Sequence, residues 1–142
     1  MSEITSFSVT GSIEKENYIT AVTAGDHQLF LDEPASLGGQ NKGVTPYEML
    51  ASSLAGCTLI TLKMYLNRKS IDLGTIKVHI QLEPKKMGTD LVVHIHRTIT
   101  IGQAIEQELW DRLLYIADVC PISKVLKSGN NIIETELKLE TA

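Results

Sequence analysis

The sequence is poor in cysteine, and its two cysteines lie far apart in the chain. Cys57 and Cys120 are the only cysteines among 142 residues. Neither lies in the close spacing of a zinc knuckle or of a C-x-x-C redox motif. The two thiols can therefore act together only if the fold brings them into contact. In that arrangement they would form a reactive dithiol, as in a thiol-based redox enzyme.

The chain also lacks an excess of basic charge, and its first residues do not predict a secretory signal. It has 13 Lys and Arg against 17 Asp and Glu, with a net charge of −4, so it is a poor candidate for binding nucleic acid. Its first residues contain neither the basic nor the apolar region of a secretory signal. The apolar segment Met49–Leu62 is too short to span a membrane and indicates a buried core helix. We therefore expect a cytoplasmic protein with no membrane partner, in which a catalytic disulfide is more plausible than a structural one.

No internal repeat or linker divides the sequence, which predicts a single domain over residues 1–142. Weak alternation and turn residues indicate antiparallel strands at 4–9, 18–22 and 29–31, followed by a flexible loop at 36–43. A helix is predicted at 45–69, followed by strands at 75–83 and 91–101 that are joined by a turn at 85–90. Two further helices are predicted at 103–117 and 120–129. The last predicted element is a strand at 132–139 that buries Ile133, Leu137 and Leu139. This order predicts an α+β fold with a mainly antiparallel sheet.

Cys57 lies in the middle of the long apolar helix, where two interpretations are open. A free cysteine is often a small buried hydrophobic residue, or it is the nucleophile of a reaction. Its neighbours Ala55 and Gly56 are small, which indicates that something packs closely against the helix. Another helix, a second subunit or a substrate would each fit.

Cys120 directly precedes Pro121 and therefore takes the N-cap position of a new helix. Ser, Thr, Asp or Asn normally stabilises that position. A thiolate there is favoured by the free backbone N–H groups and the helix dipole, which lower the pKa of the thiol. The position indicates a reactive cysteine, and a chance cap is the alternative.

Arg97 interrupts an apolar strand face. Period-two alternation places it with Val93, Ile95 and Ile99. A guanidinium buried there needs a partner, and a thiolate, a carboxylate or a peroxide oxygen would serve. Alternatively, the side chain snorkels to solvent from the strand end.

Glu48 has a structural explanation that requires no catalysis. Thr45 at the N-cap, Pro46 at the first helical position and Glu48 three residues after the cap form a capping box. On an ideal helix Glu48 lies on the opposite side from Cys57. On the strand, His94 and His96 share the face opposite Arg97, where they either ligate a metal or face solvent.

Taken together, these features resemble the OsmC/Ohr family, the osmotically inducible and organic-hydroperoxide-resistance proteins. The matching motifs are Thr45–Ala51 leading to Ala55-Gly56-Cys57, and Val119-Cys120-Pro121. The strand at 97–99 and the helix at 106–114 are similar to those of general OsmC-like members. The resemblance covers nearly the whole chain.

The resemblance implies an OsmC-like fold, with mainly antiparallel sheets around a long central helix in an intertwined homodimer. It also implies a cysteine peroxidase that reduces organic hydroperoxides and is recycled by a dithiol, often a lipoyl group. By position, Cys57 matches the peroxidatic cysteine and Cys120 the resolving one. No metal or organic cofactor is implied.

The sequence differs from the family pattern in two places. The peroxidases carry an arginine near the N-terminal strands, whereas no arginine precedes Arg68 here, and Arg97 is the candidate substitute. The glutamate expected directly after Pro46 is displaced by one residue to Glu48. These differences motivate a second hypothesis, a non-peroxidase protein that binds a small apolar ligand at the dimer interface. A metal site made by both cysteines and a histidine is a third.

Overall fold

The computed structural model describes residues 6–140, and its elements form the predicted α+β fold with antiparallel sheets and one long helix. In chain order the elements are β1 (Thr10–Ile13), β2 (Thr20–Ala24), β3 (His27–Leu31), a short 3-10 turn (Ala35–Leu37), α1 (Pro46–Arg68), β4 (Ile76–Met87), β5 (Asp90–Ile101), α2 (Gln107–Asp118) and α3 (Pro121–Lys127). The residues divide into two compact units. The first comprises the chain up to Ser53 with Ile80–Arg97, and the second comprises Leu54–His79 with the chain from Thr98 onward.

The first unit contains an antiparallel sheet in the order β1-β2-β3. The predicted turn between β2 and β3 is confirmed, and its Gly25 has a φ of 61°, which glycine adopts without side-chain strain. The predicted position of the first strand was wrong. Residues 6–9 are not in a strand, β1 begins at Thr10, and residues 4 and 5 lie outside the described part of the chain. Pairing of Thr10–Ile13 with β2 determines the strand, and the local alternation does not reveal that partner.

Asp32 organises the loop that follows the sheet. Its side chain is 2% exposed, and its two carboxylate oxygens accept hydrogen bonds from the backbone N–H groups of Tyr18, Glu33, Gln40 and Lys42 at 2.7–3.2 Å. Burial raises the pKa of Asp32, but these four donors outweigh it and hold the pKa below its ordinary value. The segment expected to be a flexible loop is therefore held in place by a carboxylate.

Two glycines allow this loop to lie close against its neighbours. A Cβ at Gly39 would collide with the backbone carbonyl of Glu33, and one at Gly43 would collide with that of Phe30. Both positions thus require the absence of a side chain.

Asp32→Asn is expected to destabilise the protein at neutral pH, with a clear fall in the urea midpoint. The amide nitrogen cannot accept a hydrogen bond, so it leaves two of the four backbone donors unsatisfied. Because the pKa of Asp32 is lowered on folding, its carboxylate stabilises the fold fully at pH values above the ordinary pKa of 3.8. This contribution is lost as the pH falls through the lowered pKa of the folded state. The difference in urea midpoint between Asp32→Asn and the wild type should therefore become smaller below pH 3.8.

The matched control is Asp26→Asn, which makes the same charge change at an exposed turn residue. It should leave the midpoint nearly unchanged. Equal effects of the two substitutions would contradict the role given to Asp32.

The predicted start of α1 is confirmed by a complete capping box. The backbone N–H of Thr45 donates to Glu48 Oε1 at 2.9 Å, and the backbone N–H of Glu48 donates to Thr45 Oγ1 at 3.2 Å. The helix extends beyond the apolar segment Met49–Leu62, and its 23 residues are long and apolar enough to cross a membrane by length and composition. The segment Met49–Leu62 alone remains too short to span a membrane, and it is the longer helix containing it that meets this criterion. Core helices of soluble proteins meet the same criterion.

The core of the second unit lies between α1, α2 and the loop after α1. Its buried members are Leu62, Leu66, Leu73 and Leu113. In β4 the predicted alternation holds, since Ile76, Val78, Ile80 and Leu82 are half-buried whereas the residues between them are exposed. The turn to β5 is shorter than predicted, because β4 continues to Met87. The chain then reverses at Gly88, which has a φ of 65°.

Two C-terminal elements differ from their predictions. Helix α2 begins at Gln107 instead of Gln103, because Glu106 at its N-cap is extended and the preceding Ile105 packs on the core. The predicted strand at 132–139 is not formed, and the side chains expected to be buried, at Ile133, Leu137 and Leu139, are exposed. A strand is stabilised by a neighbouring strand, and the described residues provide none for this segment. Helix α3 ends at Lys127, close to Gly129 as predicted.

Candidate active site

The fold brings the two cysteines together within the second unit. Cys57 lies in the middle of α1 and is half-buried, with its Sγ 4.0 Å from Thr61 Oγ1. Cys120 lies at the N-cap of α3. Both are reduced thiols, and they are close enough for each to alter the ionisation of the other. The fold thus fulfils the condition, set by the sequence, that the two thiols lie close together.

Cys120 is the more enclosed of the two thiols and has polar neighbours. Its side chain is 0% exposed. Its Sγ is 3.1 Å from Ser123 Oγ and 4.0 Å from Thr58 Oγ1. Pro121 occupies the first position of α3, as predicted, and fixes Cys120 in the extended conformation of an N-cap.

The two thiols differ in acidity. Burial raises the pKa of Cys57, and its interaction with Cys120 raises it further. Burial also raises the pKa of Cys120, but the hydroxyl and backbone N–H of Ser123, together with Cys57 and Thr58, lower it below its ordinary value. The first proton lost by the pair is therefore drawn mainly from Cys120, and the neutral Cys57 stabilises the resulting thiolate.

The surface around Cys57 is not closely packed. Apart from its chain neighbours and the backbone of its own helix, the Cβ position of Gly56 meets no atom of the described residues within 4 Å. On the same helix the apolar side chains of Ile60 and Met64 are exposed. The small residues beside Cys57 thus leave room for a substrate or a second subunit.

Glu48 and Arg97 belong to the first unit. Glu48 is exposed, and its bonds to Thr45 lower the pKa of its carboxyl group, mainly through the backbone N–H of Thr45. Its position in the capping box agrees with the structural interpretation. Arg97 is half-buried in β5, on the face shared with Val93, Ile95 and Ile99.

The strand face opposite Arg97 carries His94 and His96, and both are exposed. Over residues 6–140, no group of three or more His, Cys, Asp or Glu side chains is arranged to hold a metal ion. The hypothesis of a metal site made by both cysteines and a histidine thus lacks a third ligand in this part of the chain.

Two residues near Cys120 were missed by the sequence analysis. Ser123 follows Cys120 by three residues, and Thr58 follows Cys57 directly. The first could have been found, because the side chain of an N-cap residue faces the residue three positions later. The second depends on the packing of α3 beside α1, which no local pattern indicates.

Comparison with known proteins places this chain in a family. The family model described as OsmC-like protein matches residues 39–135. Similar solved structures include an OsmC-like protein from Mycoplasma pneumoniae, with 20% identity, a TM-score of 0.69, and coverage of 88% of this chain and 89% of that one. The organic hydroperoxide resistance protein OhrB of Bacillus subtilis has 19% identity and a TM-score of 0.62, with coverage of 89% and 93%.

An OsmC-like protein of unknown function from Vibrio cholerae has 7% identity and a TM-score of 0.71, with coverage of 88% of this chain and 96% of that one. At these identities the likeness establishes the fold and leaves the activity open. No curated protein matches the sequence significantly. The family match spans most of the chain and includes both cysteines, so the chain belongs to the OsmC-like protein family.

Proposed function

We propose that this protein is a thiol-dependent peroxidase that reduces organic hydroperoxides through a Cys57–Cys120 dithiol and disulfide cycle. The observation that carries the proposal is the proximity of the two reduced cysteines, which are near enough to alter each other's ionisation, one half-buried and one fully enclosed. The names of several similar structures, including OhrB, agree with this activity. In the proposed cycle Cys57 is the peroxidatic residue and Cys120 the resolving residue.

The first step begins with a proton shift within the pair. When the proton of Cys57 moves to Cys120, the thiolate of Cys57 attacks the distal oxygen of the hydroperoxide and the O–O bond breaks. Cys57 is oxidised to a sulfenic acid, and the alkoxide leaves as an alcohol with the proton of Cys120. Cys120 is thereby returned to the thiolate form.

The second step closes the disulfide. The thiolate of Cys120 attacks the sulfur of the Cys57 sulfenic acid, and hydroxide leaves and is protonated to water. In sum, the dithiol and one hydroperoxide give a disulfide, an alcohol and water. The lowered pKa of Cys120 suits this step, because its sulfur is then ready to attack.

A dithiol reductant, such as a lipoyl group, reopens the disulfide. Cys57 is the more exposed sulfur, so the reductant attacks there. Cys120 is then the leaving group, and a thiol of lower pKa leaves faster. A cycle that needs reduced thiols also suits the cytoplasm, the location we propose.

The apolar surroundings of Cys57 favour an organic hydroperoxide over hydrogen peroxide. The exposed Ile60 and Met64 would contact an alkyl or acyl group of the substrate. Arg97 and Glu48 are the residues proposed to assist the thiolate, although Glu48 already serves as a helix cap.

The working unit is proposed to be a homodimer. In the segment 132–139 the apolar residues Ile133, Leu137 and Leu139 alternate with charged ones, and Leu137 is 99% exposed. This is the pattern of a strand that has no partner within the described chain, and β4 and β5 form a sheet of only two strands. A second copy would supply a strand partner and cover these side chains and those of α1.

The proposal is tested by steady-state turnover with dihydrolipoamide as reductant. The rate constant kcat/KM for cumene hydroperoxide should exceed that for hydrogen peroxide by about tenfold or more, because the apolar group adds binding in the site. No consumption of either peroxide would contradict the proposed function.

A second candidate function is the binding of a small apolar ligand without peroxide chemistry. It is favoured by a groove of about 280 Å³ in the second unit. The apolar residues lining this groove are Ile99, Ile101, Ile105, Trp110, Leu113 and Leu114. This function predicts ligand binding that survives replacement of both cysteines by serine, measurable through the fluorescence of Trp110.

A further inference from the structure

Ser123 forms a hydrogen-bonded bridge between Cys120 and the end of α2. Its side chain is 4% exposed. Its Oγ is 3.1 Å from Cys120 Sγ and donates to the carbonyl oxygen of Ala117 at 3.2 Å. Its hydroxyl therefore has two acceptors within reach whenever Cys120 is ionised.

The single hydroxyl proton of Ser123 can serve only one acceptor at a time. When Cys120 is a neutral thiol, its S–H can donate to Ser123 Oγ while the hydroxyl donates to Ala117. When Cys120 is a thiolate, its sulfur can only accept. A donor 3.1 Å from that sulfur then forms a charge-assisted bond, which is stronger than a bond to a neutral carbonyl.

The carbonyl of Ala117 does not lose all its donors in that exchange. The backbone N–H of Cys120 also donates to it, at 3.4 Å. Turning the Ser123 hydroxyl toward the sulfur therefore leaves no orphaned acceptor, and the exchange costs little.

We propose that Ser123 is a positioning residue for the resolving step, whose hydroxyl transfers its hydrogen bond from the Ala117 carbonyl to Cys120 Sγ when Cys120 ionises. The inference rests on the proposed function for its catalytic meaning, since it assigns the resolving role to Cys120. The bond holds the thiolate ready and keeps its sulfur in place for attack on Cys57.

Other groups near Cys120 bear on its titration. Cys57 faces it from α1 and is a titratable group that interacts with it directly. In the chain around Cys120, the charged residues are Asp118, Lys124 and Lys127. Lys127 forms an ion pair with Asp118 at the surface. Thr58 Oγ1 is also near, but it lies farther from the sulfur, at 4.0 Å, and donates to the Leu54 carbonyl at 2.7 Å. Thr58→Val is therefore a matched control.

The test is a pH titration of protein labelled with ¹³C at the cysteine Cβ, which gives one signal for each of the two cysteines. The Cys57→Ser variant assigns the signals. Ser123→Ala should move the midpoint of the Cys120 titration to higher pH, and Thr58→Val should move it less. Ser123→Gly also removes the hydroxyl and serves if the alanine variant does not fold.

Quenched-flow mass spectrometry after one equivalent of cumene hydroperoxide supplies the second readout. Ser123→Ala should slow disulfide closure about tenfold, because the Cys120 thiolate loses the bond that stabilises and positions it, and should change the loss of peroxide less than it changes closure. If Cys120 titrates at the same pH in Ser123→Ala and Ser123→Gly as in the wild type, the inference is wrong. A shifted titration supports it even if wild-type protein forms no disulfide, and in that case it is the proposed peroxidase function that fails.

Discussion

Serine in place of Cys57 is expected to lower the rate of hydroperoxide reduction by a factor on the order of a thousand or more. The hydroxyl of serine has a far higher pKa than a thiol and forms no sulfenic acid, so neither the first step nor the disulfide can occur. The fold should persist, because Cys57 is only half-buried and the change is small. Peroxide consumption and the circular dichroism spectrum of the same sample measure both effects.

Cys120→Ser is the informative comparison, because it should stop the cycle at a different point. Cys57 would still react once, and its sulfenic acid would accumulate and could be trapped with dimedone. Full turnover by Cys57→Ser would exclude Cys57 as the nucleophile. Full turnover by Cys120→Ser, with no trapped intermediate, would exclude Cys120 as the resolving residue.

Leu137→Lys is expected to weaken the proposed homodimer by about tenfold or more. Leu137 is 99% exposed in the single chain, and it lies on the apolar side of the alternating C-terminal segment. If a second copy covers this side, a buried ammonium without a partner is costly. Analytical ultracentrifugation over a range of concentrations measures the dissociation constant.

Glu136→Gln is the matched control, since it changes the net charge by the same amount on the opposite side of the segment. It should leave the association almost unchanged. A wild-type protein that is monomeric at all concentrations, or equal effects of the two variants, would contradict the proposed homodimer.

Local chemistry made part of the fold predictable. The capping box of α1 and the Cys120-Pro121 start of α3 each lie within a few adjacent residues, so the sequence shows them directly. The alternation of β4 is of the same kind. These elements were predicted because their stabilising contacts are close in the chain.

Contacts between distant residues account for the errors. Asp32 binds backbone groups as far away as Tyr18 and Lys42, and no motif marks that role. The segment 132–139 has the pattern of a strand, but a pattern cannot supply a partner for pairing. Helix α2 begins late because Ile105 packs on a core assembled from other elements.

The candidate site was predictable in part for the same reason. The two cysteines were marked by their contexts, whereas their contact depends on the packing of α3 beside α1. Sequence reasoning also predicted that the N-cap position lowers the pKa of Cys120, and the structure gives the same direction. The contribution of Thr58 required the structure.

The most direct test of the central claim is the reaction of reduced protein, freed of reductant, with one equivalent of cumene hydroperoxide. Free thiols and intact mass are followed over time, with a parallel sample in hydrogen peroxide. The proposed peroxidase cycle requires rapid loss of both thiols and one intramolecular Cys57–Cys120 disulfide, formed faster with the organic peroxide. Slow oxidation without peroxide preference, or disulfides only between chains, would contradict it.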